Sequence, residues 1–311
     1  MTLPLGPWAR KDRSHRSAPD YACRVPLSHL ELPSEPLAAP ALVAAFDGWV
    51  DAAGAATAAL AHIAGDATTI ATFDSDLLYD YRSRRPVLDI VDGTLKELTW
   101  YELAVRRTRA EGRDVLVLFG PEPDFRWKEL GRDVMDMSLR LGVVEWISVG
   151  AIPAAVPHTR PVPLLGTASK PGLLADNVAQ GPQGLLRVPA AALSVIELSV
   201  AGAGIPTVGF FAQVPHYVGG PYAAATISLV QHVGRHLGVD FPLGSLPEDA
   251  TAQRQRIDAA VGADEEATAY LQRLEAMPAA DDRIPSGDEL ASEIERYLRG
   301  ESGDEPNARG R

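Results

Sequence analysis

The sequence predicts a three-layer α/β/α sandwich with a small C-terminal helical extension. Short apolar runs alternate with longer amphipathic ones, and several of the short runs are continuously apolar, as strands covered on both faces are. Helices spaced between mostly buried strands imply helical layers on both sides of a largely parallel sheet. After about residue 246 the composition turns acidic and helix-patterned, which sets the extension apart.

Taken in order, residues 1–40 are rich in Pro, Ser and mixed charge and read as a poorly ordered or extended leader. An α/β/α domain is expected over 41–246. Its strands are predicted at 42–46, 69–73, 87–91, 115–119, 146–150, 164–167 and 207–213, and its helices at 51–64, 95–109, 127–141, 190–201 and 222–237. Gly65 and Gly142 stand just past the first and third helices, where left-handed C-caps belong. The run Gly202-Ala-Gly-Ile-Pro206 ends the fourth helix. It follows a helix instead of preceding one, so its glycines read as a stop and not as a phosphate loop. Over 247–300, Ile257, Val261, Tyr270, Leu271 and Leu274 form one helical stripe, and Leu290, Ile294, Tyr297 and Leu298 form another. Ser286-Gly-Asp-Glu289 fits a capping box at the start of the second. Two such helices carry too little core to stand alone and are expected to dock on the body or on a neighbouring subunit. Residues 301–311 read as a disordered tail.

Composition narrows the function classes. The 311 residues are 46% hydrophobic and 23% charged, as in an ordinary water-soluble domain, and no stretch approaches a membrane span. Cys23 is the single cysteine, so neither an intramolecular disulfide nor a thiolate metal cage is expected. The first residues lack an apolar core after their charges, so the expectation is a cytoplasmic protein without a cleaved secretion signal. The formal charge is −12, and 16 acidic against 8 basic residues lie from Pro247 onward. With no Lys/Arg stripe, neither nucleic acid nor a membrane is an expected partner.

Most catalytic signatures are missing: there is no P-loop, no nucleophile elbow and no H-E-x-x-H. No cofactor is expected. His232 and His236 stand one helical turn apart, but without a third ligand nearby they read as an exposed helix face. FDGWVDAAGAATAAL, residues 46–60, puts Asp47 at a strand end, where open α/β sheets bind ligands, followed by Trp49. Asp51 opens the next helix, where a carboxylate caps free N–H groups, and Ala52 to Ala56 let that helix approach the sheet closely. Capping accounts for Asp51 without catalysis; Asp47 is left without a structural role. In DSDLLYDYRSRRP, residues 74–86, Arg82, Arg84 and Arg85 can clamp an anion or pair with Asp74, Asp76 and Asp80. The loop GPEPDFRW, residues 120–127, carries Glu122, a helix-capping Asp124, and a polar and aromatic surface at Arg126 and Trp127. PHTRPVP (157–163) and VPHYVGGPY (214–222) add His158, Arg160, His216 and Tyr217. If the sheet is mostly parallel, these loops converge on one edge as a pocket or contact surface. Such a rim suits a rigid docking face as well as a nucleoside- or phosphate-handling hydrolase, transferase or ligase.

Together FDGWVDAAGAA, YDYRSRRP, LFGPEPDFRW, PHTRPVP and GFFAQVPHYVGGPY, in order across residues 41–237, resemble the PAC2 family, whose best-known members are proteasome assembly chaperones. The helical arm looks like the extension of the family's actinobacterial-type branch. The resemblance implies a phosphorylase/hydrolase-like α/β/α fold, self-association as a homotrimer, and proteasome subunits as partners; it brings no established catalytic residues. Proteasome-binding relatives end in a hydrophobic residue, a tyrosine and a final residue, whereas this sequence ends Asn307-Ala-Arg-Gly-Arg311. Contact through an inserted tail is therefore not expected, and any proteasome contact must use another surface.

Overall fold

The computed structural model describes residues 27–175, 178–182, 184–277, 291–292 and 295. The predicted second stripe, with Leu290, Ile294, Tyr297 and Leu298, and the tail at 301–311 lie outside these residues. Among the described residues no helix is long and apolar enough to cross a membrane.

One nine-stranded sheet organises the chain. In chain order its strands are β1 (Ser28–Leu30), β2 (Ala41–Phe46), β3 (Thr68–Phe73), β6 (Ala104–Ala110), β7 (Arg113–Gly120), β8 (Glu145–Ala154), β9 (Leu164–Ala168), β10 (Ala179–Gln180) and β11 (Thr207–Pro215). They lie in the order β1-β3-β6-β7-β2-β8-β11-β9-β10. The parallel part is β7-β2-β8-β11, with β10 parallel to β9 at one end; the other neighbours pair antiparallel. The sheet is thus more mixed than the sequence implied, because short hairpins occupy what reads as crossover sequence.

Period-two alternation builds the three layers. From β2, Ala41, Val43 and Ala45 face α1 (Ala55–Ala64) and α5 (Ala223–Leu237), while Leu42, Ala44 and Phe46 face α3 (Trp127–Arg140) and α4 (Ala192–Gly202). All six are buried, which explains the continuously apolar run. Ala55, Ala56 and Ala59 of α1 are buried against the sheet, as the small-residue run predicts. Residues 27–40, placed in the leader by the sequence reading, supply edge strand β1 and the buried Leu27.

The helix expected over 95–109 is the main correction. The segment forms β5 (Thr94–Thr99) and β6, and β5 pairs with β4 (Val87–Val91) in a separate hairpin. Asp92 and Gly93 both take positive φ (51° and 74°), as a two-residue type I′ turn requires. Leu95 and Leu98 are three apart, a helical spacing, but the ladder slips between Asp89 and Ile90 and leaves Lys96 extra. That bulge returns Leu95 and Leu98 to one face of a strand.

Beyond the sheet, α2 (Ser75–Leu78) is a single turn. In the extension, α6 (Leu246–Gly262) packs on α5, and α7 (Glu265–Ala276) folds back with Leu274 buried. Asp264 caps α7, accepting from the Glu266 and Ala267 amides.

Chain reversal after α5 brings the Val239 carbonyl to within 2.8 Å of where a Cβ on Gly234 would sit. Backbone cannot rotate away, so Gly234→Ala should cost about 1–3 kcal/mol by overpacking, against about 1 kcal/mol of helix propensity gained. A lowered urea midpoint is expected; an unchanged or raised one would contradict this packing.

Candidate functional site

The parallel strands place Asp47, Glu122, His158 and His216 beyond the C-terminal ends of β2, β7, β8 and β11, on one edge of the sheet. Their contacts divide them into two clusters.

The first is centred on Asp47. Its carboxylate takes a two-pronged contact from Arg84, at 2.8 and 3.0 Å, and a hydrogen bond from the Glu122 amide at 2.8 Å. Burial would lower the Arg84 pKa, but the Asp47 contact outweighs it and the guanidinium holds its proton above its ordinary value. Glu122 in turn accepts from the Ala192 amide at 2.7 Å, covering the N-terminus of α4. Burial pushes the Glu122 carboxyl up, with the negative charge of Asp47 adding to the effect. The flanking loop is stitched down by Tyr79 donating to the Pro121 carbonyl, and by the Asp80 amide donating to Asp124 at 2.8 Å. Asp124 therefore ties loop to loop and does not cap α3, whose N-cap is Arg126 in the left-handed region.

The other predicted members play different parts. Asp51 accepts from the Ala56 amide at 2.7 Å and from the Thr57 hydroxyl, so it serves free groups in the first turn of α1; the helix starts four residues later than expected, after a 3₁₀ turn at Ala52–Gly54, and its N-cap position is Gly54 in the left-handed region. Burial raises the Asp51 pKa, and these hydrogen bonds pull part of the way back. Trp49 packs on the α3–α4 side of the core; its indole N–H is shut off from solvent and meets no acceptor among the described residues. Arg82 and Arg85 are exposed and have no described side-chain partner, so the anchoring arginine is Arg84, the one between them. Asp76 accepts from the Tyr81 hydroxyl, and Asp74 caps α2. Arg126 pairs with Glu129 at 2.7 Å, and Trp127 donates to the Pro123 carbonyl.

The second cluster joins the body to the extension. Buried His158 lies between Tyr217, whose oxygen is 2.8 Å from Nδ1, and Asp258 of α6, 2.9 Å from Nε2. The His158 amide also donates to the Tyr217 oxygen at 2.9 Å. The contacts suit Tyr217 O–H donating to Nδ1 and Nε2–H donating to Asp258. Burial pushes the Tyr217 phenol up to about 12, so it remains a donor. The His158 contact, aided by Arg254, holds Asp258 below the ordinary carboxylate range. Arg254 reaches the His158 carbonyl at 3.0 Å, and Arg160 donates to the carbonyls of Glu275 and Met277 at the end of α7. His216, Tyr217 and Tyr270 pack edge to face, their centroids 5.5 to 6.2 Å apart.

Sequence reasoning missed Arg254, Asp258 and Glu197, and it named Arg84 as one of three candidate arginines but with Asp74, Asp76 and Asp80 as partners, where the structure gives it Asp47. Glu197, on α4, reaches under the sheet to accept from Ser148 at 2.7 Å and Thr207 at 3.2 Å. His236, expected on an exposed face, instead contacts Glu145 at 2.9 Å, while His232 binds the Ser228 carbonyl. Among the described residues no three His, Cys, Asp or Glu side chains gather to hold a metal.

Comparison with protein families matches the PAC2 family model over residues 45–261. The chain belongs to the PAC2 family. Among solved structures, the Mycobacterium tuberculosis protein of unknown function Rv2714 is 31% identical, with a TM-score of 0.79 over 89% of this chain and 98% of its own. The M. tuberculosis proteasome-assembly chaperone homologue Rv2125 is 37% identical, with a TM-score of 0.69 over 75% of this chain and 100% of its own. A PAC2 family protein from Streptomyces avermitilis is 34% identical, with a TM-score of 0.66 over 74% and 99%. Comparison with curated proteins returns no match.

Two outcomes follow for this PAC2 chain. Tyr217→Phe leaves the His158 amide and Nδ1 without a partner in a buried place, which should cost about 1–3 kcal/mol. Hydrogen exchange should quicken in α6 and α7 first; unaltered stability with unaltered exchange would refute the docking role. Burial raises the Glu197 carboxyl, with Ser148 and Thr207 pulling part of the way back. A carboxyl raised on folding opposes the fold while ionised, and that opposition fades as pH falls through the raised value. Glu197→Gln should thus stabilise the protein at neutral pH, with a gain that shrinks on acidification. Urea midpoints at neutral and mildly acidic pH check this, and a pH-independent difference would sink it.

Proposed function

We propose that this protein is a self-associating binding scaffold of the proteasome-assembly-chaperone kind, cytoplasmic and homotrimeric, with proteasome subunits as its partners. One observation carries the reading: it shares 37% identity with a proteasome-assembly chaperone homologue whose whole length it covers. The geometry of the C-terminal edge supports it. Both carboxylate oxygens of Asp47 are engaged by Arg84 and the Glu122 amide, and His158 is engaged through both ring nitrogens. Groups held this way stiffen loops, and proline-rich loops so held make a firm docking face. On this reading Asp47, Arg82, Arg85, Glu122, Arg126 and Trp127 belong to the contact face around the β2 and β7 ends, with Trp49 and the buried Asp51 supporting it from beneath. His158, Arg160, His216 and Tyr217 brace the helical extension beside it.

Affinity purification of the tagged full chain from a proteasome-containing host, followed by native mass spectrometry, is the test. Co-purifying α- or β-subunits are expected, together with delayed proteasome assembly when the gene is deleted. Their persistent absence, with assembly normal in the deletion, would overturn the proposal.

A further inference from the structure

Residues 48–54, between β2 and α1, gather three features that each cost stability. The Trp49 indole N–H is shut off from solvent and meets no acceptor among the described residues. A buried donor left unpaired gives up its bond to water without replacement, and such groups are rare in folded chains. Ala53 sits in the left-handed region, at φ 56° and ψ 21°, where its Cβ crowds the backbone. Asp51 lies buried between them in sequence, and burial raises its carboxyl. Costs gathered in so short a stretch persist only where the surroundings over-determine the backbone, and they mark segments that change position in function.

Here the surroundings are two anchored aspartates. At the far end the Asp51 carboxylate accepts from the Ala56 amide at 2.7 Å, and the Val50 carbonyl accepts from the Ala151 amide at 2.8 Å, which joins the segment to β8. Asp51 and Ala151 are both buried, so this end is fixed inside the fold. At the near end the Asp47 carboxylate is held by Arg84, at 2.8 and 3.0 Å. That pair differs from the rest: its side chains are 42% and 25% exposed. Two charge-assisted prongs are strong enough to hold a strained backbone, and a place at the surface leaves them open to competition and screening. The near end is therefore the one that can let go.

We infer that the Asp47–Arg84 contact is a latch on residues 48–54, and that opening it lets the segment relax and carries the Trp49 indole N–H out to solvent. Two observations favour movement over a permanently strained loop. Trp49 is only partly buried and packs on the margin of the α3–α4 side of the core, so its ring has a short way to travel. Between Asp51 and the start of α1 lie only Ala52, Ala53 and Gly54, which have almost no side chain to hold them in place. The strain at Ala53 is relieved in the same movement, which leaves the latch as the main opposition to it. The latch does not depend on what the contact face binds, so its test needs no partner.

Exchange of indole N–H protons in the ¹⁵N-labelled full chain is that test, with the Trp49 resonance identified by its loss in Trp49→Phe. In the wild type this proton should exchange slowly. Arg84→Gln should speed it about tenfold or more, while fully buried Trp146, whose indole donates to Ser148, keeps its rate. Adding Ala53→Gly to Arg84→Gln should slow Trp49 exchange again, because glycine takes the left-handed region without strain. Should Arg84→Gln fail to fold, Arg84→Lys keeps the charge, gives up the second prong, and should give a smaller increase of the same sign. Trp49 exchange at the wild-type rate in a folded Arg84 variant would overturn the latch. Trp146 quickening in step with Trp49 would overturn it too, since the loosening would then be global. No slowing from Ala53→Gly would remove strain as the driving force. None of these outcomes bears on whether proteasome subunits are bound, which the purification above decides separately.

Discussion

The C-terminal edge of the sheet depends on the carboxylate of Asp47. It ends β2, the strand between β7 and β8, and takes three hydrogen bonds from two loops otherwise distant in sequence. Arg84 comes from the segment between α2 and β4, and the Glu122 amide from the turn between β7 and α3. Through its own side chain Glu122 passes the connection to the first turn of α4. One ionised group thus aligns two loops directly and, through Glu122, the end of a helix. Charge-assisted, two-pronged contacts resist reorientation more than single neutral ones do. Asp51, four residues on, does the equivalent for α1.

A second constraint acts at the ends of β8 and β11. Here the apolar contacts of the extension are few, and Leu274 is the single fully buried apolar side chain of α6 and α7. Polar and aromatic contacts make up the difference: Asp258 on His158, Gln253 accepting from the Ala223 amide, and Tyr270 against His216 and Tyr217. Such a dock is geometrically specific without a large core. It follows that the extension is positioned by hydrogen-bond pairing more than by area.

Both the successes and the failures of the sequence reading have physical causes. Strands β2, β7, β8 and β11 were legible because burial on both faces imposes a continuous apolar run. The helices α1, α3, α4 and α5 were legible through their alternation with those runs and their glycine stops. The segment 95–109 was misread because Leu95 and Leu98 repeat at a helical interval, and only cross-strand pairing with a bulge reconciles that interval with a strand. β1 and β10, two or three residues long, carry too little pattern to be seen.

The candidate site divides in the same way. Chain order and residue chemistry alone marked Asp47, Asp51, Glu122, His158, Arg160, His216 and Tyr217 as loop and cap residues at strand ends, and marked the family through the motifs around them. Periodicity and punctuation are local, so they are written along the chain. Choosing Arg84 over Arg82 and Arg85, pairing His158 with Asp258 across a hundred residues, and parting the expected rim into two clusters are matters of distance in space. No local pattern encodes them, and only the packed chain decided them.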